Sequence, residues 1–171
     1  MFTFETPFLD LEIYRLISIL VARPALAEFE GNESDKRKLE FLRHLERPEV
    51  SRIVVSLAAI VRSSLDAHSI GGGFYIRKLE GEALERQVGT LSPDKSNPHF
   101  EEPLRFRKAC NKVLHADRVD FETKMVPTAV PSDTQAPLTG CLTLYRRLAK
   151  KEWRAELDLK EYAFSALALT P

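Results

Sequence analysis

The strongest constraint on the fold of this chain is a run of apolar residues at helical spacing after Pro48. Successive members are three or four positions apart, so they share one broad face of an α-helix. The residues of this face are Val50, Ile53, Val54, Leu57, Ile60, Val61 and Leu65. A helix with such a face must bury it against other elements, and we therefore predict a central core helix from Pro48 to about Asp66.

Two further helices are predicted before the core helix. The first begins at Thr6-Pro7, which reads as an N-cap followed by proline at the first helical position, and it should end or kink at Pro24. The second begins at Ser34 or Asp35. It should stop near Pro48, because the residue before a proline is disfavoured in helical geometry.

The middle of the chain is less regular. Residues 74–89 fit either a short strand or a helix, and the proline-containing stretch 92–98 predicts a loop. Pro103 introduces a further helix, predicted from Leu104 to about Ala116. Residues 126–137 contain three prolines and are expected to form an irregular connection.

The last part of the chain changes from helical to strand periodicity. Apolar residues alternate with polar ones in both 142–148 and 152–159, and the two segments are separated by Ala149, Lys150 and Lys151. This pattern predicts a β-hairpin. Residues 161–169 then predict a short closing helix.

Together these patterns predict a mainly α fold, namely a helical bundle with a C-terminal β-hairpin and a short terminal helix. A length of 171 residues and an apolar content of 44% suit a single domain covering 1–171. Within it we expect the bundle at 1–118, with the hairpin and terminal helix at 138–171 appended to it.

Composition excludes several kinds of protein. The 25 basic and 25 acidic residues cancel, so any binding to nucleic acid must come from a local patch. Cys110 and Cys141 are the only cysteines, and Cys110 lies in a helical pattern, which favours reduced thiols. The start of the chain lacks a basic signal region, and the apolar run from Leu16 to Ala22 is too short to span a membrane. We therefore predict a cytoplasmic protein without membrane contact.

No metal site or cofactor is predicted. The histidines at positions 44, 68 and 99 are far apart in sequence, and neither the HExxH nor the CxxC pattern occurs.

The most informative candidate site is a polar stripe on the helix predicted after Pro103. Arg107, Asn111 and His115 recur every four residues, which places them along one edge of the helix. A fixed cation, an amide and an imidazole in such a row could bind a phosphate and move a proton. The stripe also borders the apolar sector of the helix, where structural polar residues lie, so a structural role is the alternative interpretation.

The segment from Asn111 to His115 resembles the Arg-Asn-x-x-x-His signature of HEPN domains, with Cys110 at the position of the family's arginine. The resemblance implies a small helical bundle, often dimeric, that cleaves RNA without a metal or binds nucleotides. Such domains act in toxin, antiviral-defence or RNA-processing systems. We accordingly expect a homodimer with RNA or a nucleotide as its ligand.

In the cleavage interpretation the three stripe residues have distinct roles. His115 is the general acid or base at the RNA 2′-hydroxyl or the leaving oxygen, since histidine exchanges protons near neutral pH. Arg107, one turn before Cys110, neutralises the phosphate. Asn111 orients His115 or donates to a phosphate oxygen. Alternatively, with Cys110 in place of arginine, the site has lost activity and only the fold remains.

Local charge surrounds this stripe. Four basic residues near it are the predicted nucleic-acid contacts: Arg105, Lys108, Lys112 and Arg118. A second basic cluster falls on the hairpin: Arg146, Arg147, Lys150, Lys151 and Arg154. Both clusters also fit an ordinary solvated surface. The rival functional prediction is a non-catalytic interaction or regulatory module, in which Asn111 and His115 stabilise the bundle and the hairpin offers an edge to a protein partner.

Overall fold

The computed structural model describes residues 6–27, 33–68, 81–94, 100–123, 138–148 and 151–169. The helices in these ranges are α1 (Thr6–Ala27), α2 (Glu33–His68), α3 (residues 81–85), α4 (Phe106–His115) and α5 (Leu159–Leu167). The strands are β1 (Gln87–Ser92), β2 (Glu102–Arg105), β3 (Arg118–Thr123), β4 (Leu138–Leu148) and β5 (Lys151–Asp158). No helix in these ranges is both long enough and apolar enough to cross a membrane.

The strands form one antiparallel sheet in the order β2-β1-β5-β4-β3. β4 and β5 pair from Cys141 opposite Asp158 to Leu148 opposite Lys151, so the predicted C-terminal β-hairpin is confirmed. The predicted fold class is wrong, because a five-stranded sheet beside the helices makes an α+β fold rather than a mainly α bundle with a small hairpin.

The hairpin lies at the centre of the sheet. β5 pairs with β1 on its other side and β4 pairs with β3, so the edges belong to β2 and β3. The hairpin therefore offers no free edge at residues 138–145 of β4 or 154–157 of β5, and the protein partner stays a prediction.

The edge strand β2 replaces the start of a predicted helix. The helix predicted from Leu104 begins instead at Phe106, because residues 102–105 pair with β1. Pro103 cannot donate a backbone N–H, but this loss is tolerated on an edge strand. Leu104 is fully buried there, so tertiary packing decides the conformation.

β3 is a strand that the sequence prediction lacks. Val119 and Phe121 alternate with charged residues in it and pair with Leu144 and Leu142 of β4. This alternation is a strand signal, but two apolar residues alone give it little weight. The irregular connection predicted at 126–137 lies outside the described residues.

α2 runs unbroken through Pro48, so the prediction of two separate helices meeting there is wrong. A proline inside a helix removes one backbone hydrogen bond and crowds the preceding turn. Here Pro48 is exposed, so water can reach the carbonyl that loses its partner. Val50 and Ile53 are fully buried, and this burial stabilises the helix across the proline. α1 likewise begins at Thr6 as predicted and continues past Pro24 to Ala27.

The helices cover one face of the sheet. α4 and α5 lie against the sheet, while α2 packs on α4 and α1 packs on α5. Alternate strand residues are buried beneath them: Leu91, Leu104, Leu142, Leu144, Trp153, Ala155 and Leu157. The short closing helix predicted at residues 161–169 is α5, which spans residues 159–167 in the structure. In this arrangement the outer surface of α4 lies beside the part of the β4–β5 hairpin that contains Arg146 and Trp153.

Candidate nucleic-acid interface on helix α4

The sequence of α4 fixes which of its sides faces the protein. Phe106, Ala109, Cys110 and Val113 follow helical spacing and are buried. The polar residues between them, from Arg107 to His115, therefore lie on the outer side of the helix or at the border of its buried sector. An extended residue flanks the helix at each end, Arg105 before it and Ala116 after it.

Asn111 ties α4 to α2 through Arg62. Arg62 Nη1 donates to Asn111 Oδ1 at 3.1 Å, and Arg62 Nε donates to Asp66 Oδ2 at 3.2 Å. The sequence prediction did not include Arg62, which is 49 positions from Asn111. The four-residue spacing of Arg62 and Asp66 predicts an ion pair on α2. Only the packing of α2 on α4 brings Arg62 to the polar stripe of Arg107, Asn111 and His115.

Arg107 and Asn111 line one open depression, as their common helix edge predicts. The depression has a volume of about 360 Å³, and its other lining residues are Glu85, Glu102, Pro103, Arg105 and Lys108. Lys108 pairs with Glu102, and Arg105 pairs with Glu85. Arg107 is exposed and forms no ion pair with the described residues. Two of the predicted catalytic residues and two of the predicted phosphate contacts are thus neighbours.

His115 lies outside this depression. It is exposed in the last turn of α4, four residues beyond Asn111, which is about 6 Å along the helix axis. It makes no hydrogen bond with the described residues. The imidazole is therefore accessible on the same outer side of the helix, one turn from the amide.

Lys112 lies on the sheet side of α4. Its Nζ is 4.0 Å from the centre of the Trp153 ring, a cation–π contact with the hairpin. Burial lowers the pKa of Lys112, and the positive charges of Lys108 and Arg146 lower it further, against the opposing effect of Glu102. Arg146 is opposite Trp153 in the strand register and forms no ion pair within the described residues. Lys112 and Arg146 are therefore neighbouring cations, and neither has a described carboxylate at ion-pair distance.

We call Arg107, Lys108, Lys112 and Arg146 the basic face. Sequence reasoning placed Arg146 in a separate hairpin cluster, and it could not show that β4 brings this residue beside α4. The long-range contact between Lys112 and Trp153 joins the two clusters.

Arg118 lies on the opposite face of the sheet. Its guanidinium is 4.1 Å from the Tyr145 ring and forms a 3.0 Å ion pair with Asp120. Arg154 is on that face too, opposite Tyr145, and pairs with Glu156. The structure therefore does not bring the predicted contact Arg118 together with the basic face.

Cys110 is a core residue. Its Sγ lies 3.6 Å from Tyr162 Oη, and the phenol in turn donates to the Val54 carbonyl at 3.4 Å. Burial raises the pKa of the Cys110 thiol to about 11, so it is neutral at physiological pH. The helix position at which the resemblance predicts an arginine thus points into the interior, and a guanidinium attached there would be buried beside Phe106 and Tyr162.

Known protein families, characterised proteins and solved structures give no match to this chain. Within the described residues, no three histidine, cysteine, aspartate or glutamate side chains converge as metal ligands.

Proposed function

We propose that this protein binds RNA through the basic face. The observation that carries the proposal is the proximity of Lys112 and Arg146, two cations without a described carboxylate partner. Holding like charges together is unfavourable, and a bound polyanion relieves the repulsion. The whole chain has a formal net charge of zero, so the attraction must come from a local surface such as this one.

The contrast with the opposite face of the sheet supports this location. There Arg118 and Arg154 each pair with an acidic residue two positions along the same strand. On the basic face Lys108 pairs with Glu102, and the other three residues form no ion pair with a described carboxylate. The surplus positive charge of α4 and β4 is therefore available for phosphates.

Single-stranded RNA is the proposed form of the ligand. The contacts offered are cations and the Asn111 amide, which recognise phosphate oxygens, while Lys112 covers the Trp153 ring and leaves no open aromatic surface there for base stacking. Binding should therefore depend weakly on base sequence and strongly on salt. An RNA ligand also agrees with the predicted cytoplasmic location, which forms part of the proposal.

Fluorescence anisotropy with a labelled single-stranded oligouridine tests this proposal. The double variant Lys112→Gln/Arg146→Gln should bind at least about tenfold more weakly than the parent, since two charge-assisted contacts are lost. The matched control is Arg147→Gln/Arg154→Gln, which removes the same charge from the opposite face and should bind like the parent. Equal losses in both double variants, or a parent that binds no RNA, would contradict the proposal.

A second proposal is that the same face cleaves RNA. The observation that favours it is an exposed His115 without a described hydrogen-bond partner, one helical turn from Asn111. His115 would take the proton of a ribose 2′-hydroxyl as that oxygen forms a bond to the adjacent phosphorus. The bond from phosphorus to the 5′-oxygen breaks, the leaving oxygen takes up a proton from water, and His115 keeps the proton of the 2′-hydroxyl. Arg107 neutralises the phosphate in this scheme.

Cleavage is tested with His115→Ala. The matched control is His44→Ala, at an exposed position of α2. We expect His115→Ala to retain RNA affinity but lose the formation of 2′,3′-cyclic phosphate ends, and His44→Ala to retain both. Unchanged cleavage in His115→Ala would reject the assignment. The rival structural role of His115 predicts a lower melting temperature instead.

The predicted homodimer belongs to the cleavage proposal, because the resemblance implies two motif helices facing each other. Light scattering of the purified protein measures the mass directly. We expect twice the 19.4 kDa of one chain, and a monomer would reject this part of the proposal.

A further inference from the structure

We infer that Arg62 and Asn111 form a phosphate-binding pair beside the basic face, in which Arg62 fixes the orientation of the Asn111 amide. This inference deepens the proposed RNA binding and rests on it for the identity of the natural ligand. The phosphate belongs to an RNA strand or to a free phosphate compound, and the experiment below separates these sources.

The hydrogen bond between the two residues determines which way the amide points. An arginine can only donate, so the 3.1 Å contact from Arg62 Nη1 must end on the Asn111 oxygen. The amide NH₂ group is then directed away from Arg62, and Asn111 lines the depression that contains Arg107 and Lys108. No acceptor among the described residues takes these N–H groups, so they are available to an anion.

Arg62 is itself held in position. Asp66 accepts from its Nε at 3.2 Å while Asn111 accepts from Nη1, and Nη2 has no partner within the described ranges. The side chain of Arg62 is 39% exposed. A guanidinium fixed at two points loses less conformational entropy when it binds a phosphate oxygen.

The chemistry of the pair suits a phosphate group. Its free donors are amide and guanidinium N–H groups, and the oxygens of a phosphate monoester or diester are strong acceptors. Asp66 offsets part of the Arg62 charge. The neighbouring Arg107, which has no described counter-ion, supplies the net positive charge that holds an anion there.

Asn111→Asp separates this role from a purely structural one. The variant keeps the shape of the side chain and converts the Arg62 contact into an ion pair, so the melting temperature should hold or rise. It removes both N–H donors, and we expect oligouridine to bind about tenfold or more weakly. The matched control is Ser63→Asp, at an exposed position of α2 next to Arg62. It adds the same negative charge and should weaken binding far less. Equal losses in the two variants would overturn the inference.

Nuclear magnetic resonance of the parent protein completes the test. Titration with inorganic phosphate should shift the Asn111 side-chain amide and Arg62 Nε–H signals in a saturable way, and titration with oligouridine should shift the same signals. Shifts with inorganic phosphate alone would support the pair as a site for free phosphate while rejecting RNA as the ligand. Oligouridine binding that leaves both signals unmoved would overturn the pair and retain the RNA-binding proposal.

Discussion

Arg52 of α2 donates two hydrogen bonds to the buried carboxylate of Glu12 on α1, at 3.1 and 3.0 Å. The same guanidinium donates to both oxygens of Glu49, at 2.9 and 2.8 Å. One side chain thus pairs with a glutamate residue that is only 8% exposed and joins the two helices.

We expect Arg52→Ala to lower the free energy of unfolding by about 2 kcal/mol, because the variant loses its hydrogen bonds to two carboxylates and leaves the buried Glu12 with only the 3.4 Å contact from Arg15. Urea unfolding measures this loss. Arg15→Ala is the control, since Arg15 makes one 3.4 Å contact with Glu12 where Arg52 makes two shorter ones; it should cost less than about 1 kcal/mol. Equal losses in the two variants would contradict the account of this network.

Glu49 gives the same network a pH dependence. Its hydrogen bond with Arg52 lowers the pKa of Glu49 below the ordinary value of 4.5. The stabilisation from its ionised form is therefore complete above that value, and it is lost as the pH falls through the lowered pKa of the folded state. The melting temperature of the parent should fall more steeply in this acid range than that of Glu49→Gln, and parallel curves would reject the effect.

Cys110 should behave as a buried thiol. With its pKa raised to about 11 it carries almost no thiolate at neutral pH, whereas Cys141 is partly exposed. A thiol reagent followed by mass spectrometry should modify Cys141 first in the folded protein and both cysteines after denaturation. Modification of Cys110 as fast as Cys141 in the folded protein would show that the α4 core is open.

Gly89 lies where β1 pairs with β5, and the β5 backbone leaves no room there for a side chain. A Cβ atom there would come within 1.9 Å of the Glu156 carbonyl oxygen, so the strands would have to separate. We expect Gly89→Ala to cost about 3 kcal/mol, at the upper end of ordinary single substitutions. Gly81→Ala is the control, because no atom of the described residues lies within 4 Å of a Cβ at that position. Denaturant unfolding of both variants measures the difference, and equal stabilities would contradict the strand packing.

The fold could be predicted from the sequence only where one periodicity ran long enough. The apolar face from Val50 to Leu65 and the alternation in the hairpin each specify their element locally. β2 and β3 are short, and they become strands by pairing with β1 and β4, which no local pattern indicates. The exposed position of Pro48 on a continuous helix was likewise beyond sequence reasoning, because exposure depends on the packing of α1 against α2.

The residues of the candidate site could likewise be grouped from the sequence only where they belong to one element. Helical spacing correctly places Arg107 and Asn111 along one edge, since both belong to one short helix. Arg62 and Arg146 join them through packing between elements, and no local pattern marks that contact. Arg118 follows α4 closely in the chain, yet strand alternation turns it to the other face of the sheet.

The salt dependence of RNA affinity tests the central claim, that the basic face binds phosphates, most directly. For single-stranded nucleic acid the logarithm of the association constant falls by about 0.7 per phosphate contact for each tenfold rise in salt. The slope of Lys112→Gln/Arg146→Gln should therefore be shallower than the parent's by about 1.4, while Arg147→Gln/Arg154→Gln should keep the parent slope. A parent slope retained in Lys112→Gln/Arg146→Gln would contradict the claim.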